Sequence, residues 1–83
     1  MNYELSRHAH TALTEREIAP EWLERALQTP ARVEPDGHDP DLVHHLVIIP
    51  ENGSRVLRVV FNNRVAPSRI VTLYFDRKMK GKL

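Results

Sequence analysis

The spacing of apolar side chains divides the chain into a helical first third and a β-forming remainder. Ser6 suits the N-cap of a short helix over Arg7 to Arg16, in which Ala9, Ala12 and Leu13 share one side. That apolar face is thin, so the helix must lie on a larger core rather than build one. Glu17-Ile18-Ala19 breaks the pattern. Pro20 then suits the first turn of a second helix, where its missing N–H costs no intrahelical bond. Trp22, Leu23, Ala26 and Leu27 form an amphipathic stripe, and Glu21 and Glu24 sit near the positive end of the helix dipole. Thr29-Pro30 ends the helix, because a residue before proline is pushed out of helical conformation.

Beyond Pro30 the period drops to two. Ala31 to Glu34 reads as a short edge strand, and Pro35 to Asp41 as a polar loop rich in turn formers. Leu42 to Ile49 and Arg55 to Asn62 are strands joined through Glu51-Asn52-Gly53-Ser54. Asn-Gly between apolar runs signals a tight hairpin, since both residues tolerate positive φ. A two-residue turn there would set Ile48 against Leu57, Leu46 against Val59 and His44 against Phe61. The opposite face would pair Ile49 with Val56, Val47 with Arg58 and His45 with Val60. Arg69 to Asp76 is a further strand, with Val71, Leu73 and Phe75 alternating against Ile70, Thr72, Tyr74 and Asp76. The more apolar face should meet the helices, leaving Arg58, Thr72, Tyr74 and His45 on the other. The expectation is one α+β domain over residues 1–76, with two N-terminal helices on a small antiparallel sheet of three to four strands. Residues 77–83 are expected to form a basic, frayed tail.

Composition narrows the function classes. A chain of 83 residues buries only about 60% of its unfolded surface, so a partner or a second copy would add useful stability. A homodimer could form through an exposed strand, either Arg69 to Asp76 or the segment 31–34. Absence of Cys excludes disulfides, thiol nucleophiles and cysteine zinc sites. The opening Met1-Asn2-Tyr3-Glu4 lacks the order of a signal peptide, and the apolar run Leu46 to Ile49 is too short to span a bilayer. A soluble cytoplasmic domain with no membrane contact is expected. The net charge of +1 conceals an asymmetry. Residues 1–51 carry four Arg against ten Asp and Glu, whereas residues 52–83 carry eight Arg and Lys against Asp76 alone. The second half therefore invites a polyanion such as RNA.

The five His do not read as a metal site. His44 and His45 are neighbours on a strand and point to opposite faces, and His8 and His10 are two apart on a helix. No serine lies in a Gly-x-Ser-x-Gly context, and no glycine-rich loop cradles phosphate. What remains is His with several Arg and hydroxyl side chains. That set suits phosphodiester cleavage without a metal, in which a base takes the ribose 2′-OH proton and cations stabilise the charge gathering on phosphate.

Ser6-Arg7-His8-Ala9, followed by Arg16-Glu17-Ile18, resembles the opening motif of the domain-of-unknown-function family 4258. Arg69-Ile70-Val71-Thr72-Leu73-Tyr74 is similar to the final strand of that family. Where members often carry an Arg-Met pair, this chain has Ala12-Leu13, which removes one phosphate contact. The family looks like part of a wider group of small toxin ribonucleases of the RelE type. The resemblance implies RNA cleavage without a cofactor, and a cognate antitoxin or immunity protein as partner. On matching positions it implies His8 as general acid or base, Arg16 as a structural or phosphate-binding cation and Thr72 as a positioning hydroxyl. Strand alternation adds Arg58 to neutralise phosphate and Tyr74 to stack a base or donate its phenol. His45, Arg77 and Lys78 complete the expected substrate contacts. The competing expectation is a non-catalytic module that binds nucleic acid or a protein through its sheet.

Overall fold

The computed structural model describes residues 2–83. Two helices pack on a five-stranded mixed sheet. In chain order the elements are β1 (Tyr3–Leu5), α1 (Arg7–Glu15), α2 (Pro20–Gln28), β2 (Arg32–Pro35), β3 (Leu42–Ile49), β4 (Arg55–Asn62) and β5 (Ser68–Phe75). The spatial order is β1-β5-β4-β3-β2, antiparallel except that β1 runs parallel to β5. The sheet thus has more strands than expected. Tyr3-Glu4-Leu5 is too short to show a period of its own and is a strand only because Ser68 to Ile70 pairs with it. β2 is a sheet edge, as expected of that segment. β5 is not an edge strand: β1 pairs with its first three residues, Ser68 to Ile70.

Both ends of α1 are closed by local chemistry. The Ser6 Oγ accepts from Ala9 N at 3.0 Å and itself donates to Val71 O at 2.9 Å, which caps the helix and ties it to β5. At the other end Ile18 N donates to Leu13 O at 3.0 Å and Glu17 N to Thr14 O at 3.3 Å. That is the paired closure of a Schellman motif, with Glu17 in the left-handed region at φ 51° and buried Ile18 beyond it. α2 starts at Pro20 as expected and buries Leu23, Ala26 and Leu27. Trp22 is half-buried and meets Phe75 edge-on at 6.1 Å.

The hairpin register differs from expectation by one residue. Ile49 faces Arg55, Val47 faces Leu57, Leu46 faces Arg58, His45 faces Val59 and His44 faces Val60. A two-residue turn would have required Pro50 to enter the ladder opposite Arg55, and Pro50 has no N–H to give. Instead Pro50–Asn52 forms a 3-10 turn, and Gly53 at φ 65° and Ser54 at φ 57° complete the reversal. The slip collects Val47, Ile49, Leu57, Val59 and Phe61 on one face with Leu73, against α1 and α2. A bulge between Val60 and Phe61 pairs Phe61 with Ile70, which brings Ile70 into the same core. The slip in the hairpin register also exchanges the two histidines. His45 lies on the helix side, where its Nδ1 shares a 2.9 Å hydrogen bond with Ala26 O and its ring meets Phe61 edge-on. His44 takes the far face with Arg58.

The C-terminal segment is more ordered at its start than a frayed tail. Asp76 N donates to Val56 O at 2.8 Å, and Arg77–Met79 forms a 3-10 turn whose Lys78 N donates to Asp76 Oδ1.

Candidate anion site beside β5

Beyond Ile70 the outer edge of β5 meets side chains of α1 rather than a strand. After the Ser6 contact to Val71 O, His8 Nε2 and Thr72 Oγ1 share a 3.0 Å hydrogen bond, and Arg16 donates to Leu73 O at 2.8 Å. Three residues of α1 and its caps therefore engage three successive residues of β5. The fold brings His8 and Thr72 together across 64 positions of sequence. His8 and Arg16 are exposed, and Thr72 and Tyr74 are half-buried. An exposed imidazole bonded to a hydroxyl is accessible to substrate and already held in direction.

Arg58 belongs to a different constellation. Its Nε donates to Asp76 Oδ2 at 2.9 Å, and one terminal nitrogen reaches Glu34 Oε1 at 3.0 Å and His44 Nδ1 at 2.9 Å. His44 Nε2 in turn meets Asp36 Oδ1 at 2.7 Å, which fixes the tautomer: Nε2 carries the proton and Nδ1 accepts from Arg58. Burial opposes the Arg58 charge, but the hydrogen bonds to Glu34 and Asp76 outweigh it and raise its pKa. The Asp36 carboxyl is held down to about 2 by the backbone N–H of Asp39, the His44 ring and the backbone N–H of His38. Two carboxylates, Glu34 and Asp76, already face the Arg58 charge. Arg58 shares a face with Tyr74 and Thr72, as expected, yet its charge is balanced inside the protein.

Four cations without a carboxylate partner gather elsewhere. Arg16, Arg55 and Arg77 line one cavity of about 280 Å³ together with Tyr74 and Phe75. An adjoining cavity of about 290 Å³ shares Arg55, Phe75 and Arg77 and adds Lys80 and Asp76. Among the described residues none of Arg16, Arg55, Arg77 and Lys80 forms an ion pair. Arg55 instead lies over the Phe75 ring at 5.5 Å. Arg77, expected to contact substrate, is on this cleft; Lys78 is exposed on the same 3-10 turn. His45 is not, because it is bonded to Ala26 O under α2. Arg55 escaped the sequence reading. Its parity matches the core face, and only the pairing of Leu57 with Phe75 shows that this end of β4 lies beside Arg77.

Among the described residues no group of three or more His, Asp or Glu is placed to hold a metal ion, and no helix is long and apolar enough to cross a membrane. A family model described as Domain of unknown function (DUF4258) matches residues 5–75. The chain belongs to that family. No curated protein and no solved structure matches it. The DUF4258 match runs from the end of β1 to the end of β5 and so includes His8, Arg16, Arg55, Arg58, Thr72 and Tyr74. In this DUF4258 domain Arg77 and Lys80 fall just beyond the matched span.

Proposed function

We propose that the domain binds RNA and cleaves it without a metal, in the manner of small toxin ribonucleases, with an antitoxin or immunity protein as its natural partner. The observation that carries this reading is the 3.0 Å bond between His8 Nε2 and Thr72 Oγ1, set beside the unpaired arginines of the cleft. His8 takes the ribose 2′-OH proton, and the 2′-oxygen closes on phosphorus as the bond to the 5′-oxygen breaks. Thr72 orients the imidazole, and the leaving 5′-oxygen takes its proton from solvent water. Arg16 supplies positive charge at the phosphate in place of Arg58, whose charge Glu34 and Asp76 already balance. His suits the proton step because its unperturbed titration lies near neutrality.

Purified protein with a chelator should cut single-stranded RNA to products ending in 2′,3′-cyclic phosphate. His8→Ala should slow cleavage by about 10²-fold or more, the usual contribution of a general base. Equal rates for both proteins, or no cleavage by either, would overturn the catalytic reading. The second reading is a non-catalytic binding module. It is favoured by the internal neutralisation of Arg58 and by the β2 edge, where Val33 is 55% exposed. RNA binding by both proteins with cleavage by neither is its signature.

A further inference from the structure

The cleft at the end of β4 and β5 concentrates positive charge without internal compensation. Elsewhere in the basic half, arginines find acids: Arg58 pairs with Glu34 and Asp76, Arg64 with Asp41, and Arg69 with Glu4. Arg55 and Arg77 do not, although they line the same two cavities. Like charges brought together repel, so an uncompensated group of them favours an anion between them. Asp76 is the carboxylate on this cleft, and its oxygens are engaged by Arg58 Nε and Lys78 N.

The geometry keeps the hydrogen-bonding capacity of these cations unspent. Arg55 lies over Phe75, which is itself braced edge-on by Trp22. A guanidinium stacked on a ring uses its flat face and leaves its in-plane N–H groups for an acceptor. Arg16 spends one terminal nitrogen on Leu73 O and so is held in place toward the same cavity. The half-buried Tyr74 ring forms part of the wall. Alternation of fixed guanidinium groups with aromatic faces matches a backbone that alternates phosphates with bases.

We propose that this cleft, built from Arg55, Arg77, Phe75 and Tyr74 and flanked by Arg16 and Lys80, is a subsite for single-stranded nucleic acid. Arg55 and Arg77 hold backbone phosphate outside the His8–Thr72 centre, and Tyr74 packs against a base. The subsite deepens the RNA reading by naming a flanking strand contact, and it does not require cleavage.

The probe is a short 2′-O-methyl oligonucleotide, which cannot be cut by 2′-OH attack, with binding followed by fluorescence anisotropy across a salt series. Removing two phosphate contacts with Arg55→Ala/Arg77→Ala should lower the slope of log affinity against log salt by about 1.4, and affinity at low salt by about tenfold or more. Arg64→Ala, which removes a charge at the opposite end of β4, should change neither by much. Arg55→Lys/Arg77→Lys should keep the salt slope but recover affinity only in part, since lysine neither stacks nor forks like arginine. Circular dichroism on each variant confirms that its fold is kept. An unchanged slope and affinity in the double alanine variant overturns the subsite, as does an equal loss in Arg64→Ala. Equal affinity for polyglutamate overturns it too, because charge alone would then explain binding. Binding of the probe together with no cleavage of unmodified RNA of the same sequence overturns the ribonuclease reading alone; cleavage of that RNA unaffected by the double alanine variant, with no effect on binding, overturns the subsite alone.

Discussion

Arg58 shows how the role of one side chain depends on partners that sequence separates widely. Glu34, His44 and Asp76 converge on it from β2, β3 and the end of β5, so one guanidinium holds four strands together. Its side chain is only 12% exposed. Arg58→Ala would leave two carboxylates and a histidine acceptor without their donor, and is expected to destabilise the fold by about 3 kcal/mol, read from denaturant midpoints. Arg58→Lys should recover little of this, because a point charge cannot meet Glu34, His44 and Asp76 from one rigid plane. A cleavage defect in either variant that vanishes at low temperature, once the fold is restored, identifies Arg58 as structural. His8 is the contrasting case. It is exposed and bound to Thr72 alone among the described side chains, so its loss should remove chemistry and spare stability.

At the scale of elements, the joint between α1 and α2 is closed by a residue poorly suited to it. Glu17 occupies the left-handed position that glycine takes without steric cost, and it places a negative charge at the negative end of the α1 dipole. Glu17→Gly is therefore expected to stabilise the protein by about 0.5–1 kcal/mol. Relief of left-handed strain outweighs the added freedom of the unfolded chain. A thermal melt showing no gain or a loss would refute this account. The same joint carries Arg16, so the variant also tests whether the reach of Arg16 to Leu73 O depends on the turn. β5 acts as the organising element. β4 pairs one side of it, while β1 and then α1 take the other, which places His8, Thr72 and Arg16 along one line.

Across the whole molecule, the acidic and basic halves of the chain meet in ion pairs. Glu4–Arg69, Asp41–Arg64 and Glu34–Arg58 each join an acid from the first half to an arginine from the second. The exposed members of this set add little energy, but they decide which cations stay free. Acid should weaken the fold in part through carboxylates held low in the native state, by an amount that solvent screening keeps small at the exposed Glu51. Asp36 is depressed from 3.8 and Glu51 from 4.5, both to about 2, the latter chiefly by its side-chain bond with Arg25. A depressed folded pKa contributes stability above the ordinary value, and that contribution fades as pH falls toward the folded one. Unfolding midpoints should therefore drop between about pH 4.5 and 2, and Asp36→Asn with Glu51→Gln should flatten the decline.

Local patterns alone specified the two helices, the Ser6 cap, the entry at Pro20, strands β2 to β5 to within a residue or two, and the excess of base in the second half. Each rests on near neighbours: a period of side chains, a missing N–H, a hydroxyl three residues from its donor. Family membership was legible from the short motifs around His8 and Thr72, and the match over residues 5–75 bears out that membership. Tertiary structure decided what depends on distant partners. Pro50 shifted the hairpin by one residue and so sent His45 beneath α2 and His44 to Arg58. The strand Tyr3–Leu5 exists because β5 lies beside it. Charge, finally, is a property of pairs: composition counts the arginines, but only the folded arrangement shows that Arg58 is balanced while Arg55 and Arg77 are not.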